Sequence, residues 1–349
     1  MPEAPRRHFA SDNLAGAHPE VLAAVAAANA GHVRAYGDDL LTAHVVARFR
    51  ALLGAEVEPF LVFAGTAANV TGLATRLRPY EAVITSSVSH LNVDECGAIE
   101  RFAGSKLLLV ESPDGKLTPE MVRSRTVGKG VPHHVQAAAV SLTQSTEYGA
   151  VYTPDEVRAV AAAAHAEGLL VHMDGARIAN AVAALGVPAR EVTFGAGVDI
   201  LSFGGTKNGA LGAEAVIFRD AALAEGYGYV RKQGMQLASK HRFLAAQFDA
   251  LLADDLWLRS ARHANAMAAR LAERVRGVPG VCITQPVQAN VVFAVIPPAA
   301  VAPLTAEFLF YVWNEATGEV RWMCSWDTTE DDVDRFAALV ARVVPGAAA

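Results

Sequence analysis

A succession of short apolar runs separated by helix-forming stretches is the feature that most restricts how this chain can fold. Residues 60–63, 82–85, 106–110, 137–142, 169–173 and 198–203 read as strands. Those at 82–85, 106–110 and 137–142 are of the kind buried on both faces of a parallel sheet. Helical patterns lie between them. One covers 19–29, with Pro19 in its first turn and Gly31 beyond its end; another covers 153–165, with Thr153 as N-cap, Glu156 three residues on and Gly168 near its stop. Strand and helix in alternation imply an α/β fold with a doubly wound, mostly parallel sheet. The texture changes near residue 250, where a long helical stretch at 256–276 leads to strand-like 289–295 and 319–324 and a helix from Thr329. At 349 residues the chain exceeds one typical domain. The reading is therefore an N-terminal arm over 1–13, a large domain over 14–250 and a small C-terminal α+β domain over 251–349.

Two of the runs end on charged groups. Residues 169–173 lead into Asp174, and 198–203 lead through Gly204, Gly205 and Thr206 to Lys207. An open α/β sheet gathers its chemistry at the carboxyl ends of its strands, so the carboxylate and the amine can converge on one ligand. Such a pair suits pyridoxal 5′-phosphate: the amine forms a Schiff base with the aldehyde, and the carboxylate keeps the pyridine nitrogen protonated. A seat for the phosphate follows 60–63, where Gly65 permits close approach and Thr66 adds a hydroxyl at a helix N-terminus. The same Gly-Thr could instead be an ordinary helix cap.

Composition removes several classes of function. A net charge of −6 and a pI near 6.0 leave no basic face for nucleic acid. No stretch reaches the roughly 18 apolar residues of a membrane span, and none follows the basic residues near the N-terminus as an export signal would. Cys96, Cys282 and Cys324 are far apart and odd in number, which argues against a disulfide framework and for the cytoplasm. His133 and His134 are adjacent without a carboxylate or cysteine nearby, so a solvated loop is the expectation and no metal site is assigned.

Five stretches carry a family resemblance: Ala35-Tyr-Gly-Asp-Asp39, Gly65-Thr-Ala-Ala-Asn69, Ser89-His90 with Asp94-Glu-Cys-Gly97, His172-Met-Asp-Gly-Ala-Arg177 and Gly204-Gly-Thr-Lys207. Together they resemble the aromatic amino acid beta-eliminating lyase and threonine aldolase family, fold type I of the pyridoxal phosphate enzymes. The likeness runs over almost the whole chain. It implies that Lys207 carries the cofactor, that Asp174 pairs with the pyridinium, that His90 stacks on the open face of the ring, and that Arg177 lies near the phenolic oxygen or the substrate carboxylate. It also implies that Ser11 and Arg321 hold the substrate's α-carboxylate. Tyr36 and Lys232 are implied at a site shared between subunits of a homodimer or homotetramer, with Arg231, Lys240 and Arg242 competing for the role of Lys232.

Structural alternatives stand beside these roles. Asp174 could pair with Arg177, Arg321 with Glu319 or Asp327, and Ser11 could cap a local turn with Asp12 and Asn13. One departure is visible: Glu147 occupies a position where some family members have histidine. The implied reaction is cleavage of L-threonine, L-allo-threonine and related β-hydroxy-α-amino acids to glycine and an aldehyde. Phenylserine cleavage, β-elimination and a non-catalytic pyridoxal-binding regulator are the alternatives.

Overall fold

The computed structural model describes residues 7–347; the first six residues of the expected arm and the last two of the chain lie outside the described residues. Seven strands, β1 (Glu58–Val62), β2 (Glu81–Ser86), β3 (Lys106–Val110), β4 (Gln136–Thr143), β5 (Leu170–Gly175), β6 (Ile200–Gly204) and β7 (Glu214–Phe218), form one sheet in the order β1-β7-β6-β5-β4-β2-β3. All run parallel except β7, which is antiparallel to both β1 and β6. Helices cover both faces, which is why the strands carry continuous apolar runs. On one face Phe203 meets Phe49 at 5.2 Å and Trp257 at 5.6 Å between ring centroids. On the other, Val62, Ile200, Val216 and Phe218 pack on Ala68 and Tyr227.

A second, antiparallel sheet holds β8 (Cys282–Ile283), β9 (Val291–Val295), β10 (Tyr311–Asn314) and β11 (Glu319–Met323) in the order β10-β11-β9-β8. Trp322 and Val320 pack there with Phe336 of the helix Glu330–Ala347 and Leu271 of the helix Leu256–Val275. Residue Phe9 joins this core, stacked on Phe336 at 4.5 Å. Its backbone N–H donates to Leu309 O at 2.9 Å and its carbonyl accepts from Met323 N at 2.8 Å. Burying a phenylalanine is worth about 1.5–3 kcal/mol, enough to pin this segment and deliver Ser11 and Asp12 to the large sheet.

Helix ends differ slightly from the sequence reading. The helix expected at 19–29 covers Pro19–Ala27, with the His18 ring accepting from Glu20 N as an unanticipated cap. The helix at 153–165 is Pro154–Ala166, and its capping box between Thr153 and Glu156 is present. Strand β7 escaped the reading because it follows Lys207 by a tight return with no helix between, unlike the other crossovers.

Two glycines let β5 and β6 end against each other. A Cβ on Gly204 would lie 2.5 Å from Ala176 O and 2.7 Å from Ala176 Cα, and one on Gly175 would lie 2.6 Å from Ser202 O. Gly204→Ala should therefore force a backbone shift costing about 1–3 kcal/mol. Thermal unfolding should show a Tm at least about 3 °C lower, whereas Gly65→Ala, which meets open space, should leave Tm nearly unchanged. Equal Tm values for all three proteins would contradict this packing.

Candidate active site

A cavity of about 280 Å³ opens at the carboxyl ends of β2, β4, β5 and β6; Asn69, His90, Glu147, Asp174, Lys207 and Arg321 are among its walls. Asp174, the last side chain of β5 before Gly175, accepts from Ala176 N at 2.9 Å through Oδ1 and from Asn69 Nδ2 at 2.8 Å through Oδ2. Burial raises its proton affinity, but Lys207, His90 and these donors outweigh that and hold the carboxyl below the usual range. Lys207 sits in the turn Thr206–Asn208. The turn is held by Gly205 N donating to Ala213 O at 3.1 Å, by Ala213 N donating to Thr206 Oγ1 at 3.2 Å and by Asn208 Nδ2 donating to Trp257 O at 2.8 Å. Burial, with Arg177 nearby, lowers the pKa of Lys207 against the opposing pull of Asp12, Asp174 and Glu214. Glu214, which accepts from Gly205 N at 3.2 Å, is itself pushed up to about 7 by burial.

His90 opens a short helix after β2. Its Nδ1 lies 2.8 Å from Glu95 Oε1, a bond that raises the imidazole pKa against the cost of burial. Its backbone N–H donates to Glu147 Oε1 at 2.9 Å, which also accepts from Thr143 Oγ1 at 2.9 Å. Burial pushes Glu147 up to about 7.

The other anticipated residues are divided between the cavity and the surface outside it. Arg177 reaches the cavity, but its planar fork is closed on Asp12 at 2.7 and 2.8 Å, so the expected alternative of an Asp174–Arg177 pair does not form. Asp12 is buried as well and is also held by Asn290 Nδ2 at 3.2 Å, while Asp174 is taken by Asn69 and Ala176. Ser11 lines the cavity and caps its own turn by accepting from Asn13 N at 3.2 Å. Arg321 projects from β11 between Tyr311 and Trp313, 5.5 and 5.1 Å from their ring centroids, and donates to Ala10 O at 3.2 Å. Neither alternative partner engages it: Glu319 accepts from Thr284, and Asp327 takes Arg7 and Ser325. Burial and neighbouring Arg177 lower its pKa to about 10. Its Nε is buried with no hydrogen-bond partner among the described residues, so its fork is available to a carboxylate.

Gly65 lines the cavity at the start of the helix Gly65–Ala74, whose N-terminus has no side-chain cap. Thr66 instead faces an adjoining groove with Thr71, Met235 and Gln236, because the first helical turn carries it round from Gly65. Tyr36 and Lys232 lie together outside the cavity of their own chain, the ammonium 5.1 Å from the ring centroid. Arg231 turns inward to Leu61 O at 3.3 Å, and Arg242 donates to Ala30 O and Gly31 O. His133 and His134 are exposed and outside the cavity. The sequence reading gave no role to Asp12, Asn69, Glu95, Thr143, Tyr311 or Trp313. Asn69 and Glu95 lie inside the matched motifs, the one available signal.

A cavity of this kind, an amine and a carboxylate on adjoining strand ends with an uncapped helix N-terminus opposite, belongs to enzymes of the beta-eliminating lyase family. The chain is a member of that family, whose sequence profile matches residues 8–297. A low specificity L-threonine aldolase of Pseudomonas aeruginosa is 48% identical over 345 residues, covering 98% of this chain and 99% of that protein. The solved threonine aldolase of Leishmania major superposes with a TM-score of 0.91 at 29% identity, covering 97% of this chain and all of that one. Aspartate aminotransferase from Thermus thermophilus shares the fold alone, at a TM-score of 0.70 and 18% identity over 94% of this chain and 89% of that one. The architecture is that of fold type I of the pyridoxal phosphate enzymes.

The proton on Glu147 gives a pH test. The folded chain binds it with a pKa of about 7 against the ordinary 4.5, so the stability tied to this proton is present below 4.5 and lost as pH rises through about 7. Glu147→Gln cannot ionise and should lose less stability between pH 5 and pH 8 in denaturant titrations of the cofactor-free protein. Identical losses in the two proteins would place the Glu147 pKa near its ordinary value.

Proposed function

We propose that this chain is a pyridoxal phosphate-dependent L-threonine aldolase of low specificity, cleaving L-threonine, L-allo-threonine and related β-hydroxy-α-amino acids to glycine and an aldehyde. The observation that carries the reading is that Lys207 and Asp174 line one cavity, the amine shifted towards its neutral, nucleophilic form by burial and the carboxyl held below its usual range. The residues present fit the cofactor. Uncapped N–H groups at Gly65 suit its phosphate, Asp174 its ring nitrogen and Lys207 its aldehyde. Bound there, the ring would supply an electron sink for the charge left on the substrate's α-carbon when the Cα–Cβ bond breaks.

The chain's own groups do the rest. Arg321, with its unpartnered Nε, and Ser11 hold the α-carboxylate, and so fix which bond at the α-carbon is turned towards cleavage. His90 is anchored through Nδ1 on Glu95, which leaves its other ring nitrogen to accept the β-hydroxyl proton. His133 and His134 stand too far out on the surface of the same chain to replace it. Tyr36 and Lys232 are assigned to the cavity of a neighbouring copy, making a symmetric dimer the smallest active unit. Support comes from exposed apolar side chains on this chain, Phe63, Leu211, Tyr229 and Met235 among them. No helix among the described residues is long and apolar enough to cross a membrane. Three unpaired cysteines suit a reducing compartment, and we place the protein in the cytoplasm.

The purified protein with pyridoxal phosphate should convert L-threonine to equal amounts of glycine and acetaldehyde. 2-Oxobutanoate with ammonia would mean β-elimination, a strong preference for phenylserine would mean an aryl substrate, and bound cofactor without product would mean a regulator. Arg321→Lys, which keeps the charge and loses the fork, should raise KM about tenfold to a hundredfold; an unchanged KM would assign the carboxylate to another cation. Lys207→Ala chains mixed with Lys232→Ala chains under subunit exchange should regain activity that neither has alone. Full activity of Lys232→Ala by itself would remove that residue from the shared site.

A further inference from the structure

The cavity holds more ionisable groups than the proposed reaction uses, and two of its buried polar residues are linked in a way that the reaction does not explain. Asn69 Nδ2 donates to Glu95 Oε1 at 2.9 Å and to Asp174 Oδ2 at 2.8 Å. An amide nitrogen has two protons, one for each carboxylate. The opposite orientation would point Asn69 Oδ1 at two anionic oxygens, so the neighbours fix the amide's direction. Glu95 Oε1 also meets His90 Nδ1 at 2.8 Å. One ring nitrogen of His90 and one carboxylate oxygen each of Glu95 and Asp174 fall within 4.8 Å of one another.

The cost of this arrangement argues for a purpose. The Glu95 side chain is fully enclosed, Asn69 is only 2% exposed, and Glu95 Oε2 and Asn69 Oδ1 have no hydrogen-bond partner among the described residues. A carboxylate buried with one oxygen unsatisfied is expensive unless a charge compensates it. Burial raises the proton affinity of Glu95, and its hydrogen bonds to His90 and Asn69 oppose that rise. Lys207 faces His90 from the turn after β6 and opposes its protonation, while Asp174 on β5 and Glu95 favour it. Glu147 approaches from beyond β4 through the His90 backbone, and Asp94 lies at the rim.

We infer that Glu95 and Asn69 are positioning residues: Glu95 fixes the orientation and the basicity of His90, and Asn69 locks Glu95 to Asp174, so that His90 and the carboxylate that would meet the cofactor's ring nitrogen belong to one hydrogen-bonded circuit. The circuit is a property of the cofactor-free chain. Only its effect on turnover rests on the proposed function.

The first measurement is therefore made without cofactor or substrate. In protein carrying ¹³C-labelled histidine, the His90 resonance is identified by its loss in His90→Asn and followed with pH. The wild-type titration midpoint should lie above that of solvent-exposed His133, and Glu95→Gln, which keeps shape and removes the charge, should move it to lower pH. The second measurement is threonine cleavage by the holoenzyme. Glu95→Gln and Asn69→Leu should each lower kcat about tenfold or more, the scale of a lost hydrogen bond to a charged group, with KM changed less than about twofold. The double variant should be no worse than the poorer single, because both changes break the same circuit. A His90 midpoint unmoved in Glu95→Gln, or losses in kcat that multiply in the double variant, overturns the inference. If Glu95→Gln does not fold, the wild-type midpoint decides: a value at or below that of His133 overturns it. Absence of threonine cleavage with the expected shift in midpoint would overturn the proposed function and leave the circuit standing.

Discussion

The mutual attraction of Lys207 and Asp174 across the ends of β6 and β5 organises this site, and it depends on backbone geometry before it depends on charge. Parallel strands bring Asp174 opposite Ser202 in register, and side chains at Gly175 and Gly204 would push the two strand ends apart. Once the backbones are that close, the tight turn after β6 returns Lys207 to the cavity. Burial then works in opposite directions on the two groups. It lowers the pKa of Lys207 and would raise that of Asp174, but each partner's charge moderates the other. An amine of lowered pKa and an ionised carboxylate can coexist there.

The remaining charges are arranged around that pair. Asp12 is paired with Arg177, leaving Arg321 as a cation with no carboxylate within salt-bridge distance among the described residues. Glu147 and Glu214, which have no paired cation at hydrogen-bond distance among the described residues, are pushed towards neutrality at ordinary pH instead. The N-terminal segment is part of this balance, because Phe9 anchors the stretch that supplies Asp12. A segment remote in sequence therefore controls whether Arg177 is free.

Much of the fold was legible because a parallel sheet covered on both faces leaves an unbroken apolar trace in each strand. The strands at 82–85, 106–110 and 137–142 became β2, β3 and β4 almost to the residue. Asp174 and Lys207 were legible because they terminate such strands. Contacts between residues far apart in sequence were not: nothing local to Arg177 points to Asp12, and nothing local to Asn69 points to both Glu95 and Asp174. The direction of the Thr66 side chain was not legible either: a helix N-terminus announces its free N–H groups, while the direction of each side chain is set by the turn that follows. Tyr36 and Lys232 lie outside the cavity of their own chain, so a single chain cannot display the role assigned to them.

The central claim is that Lys207 is the amine that meets the cofactor. Borohydride reduction of the protein loaded with pyridoxal phosphate, followed by digestion and mass mapping, tests it most directly. The account requires the reduced pyridoxyl group on the peptide that contains Lys207, with the visible absorption of the loaded protein lost on reduction and absent from Lys207→Ala. A label on the peptide containing Lys232 or Lys240, with Lys207 unmodified, would contradict it.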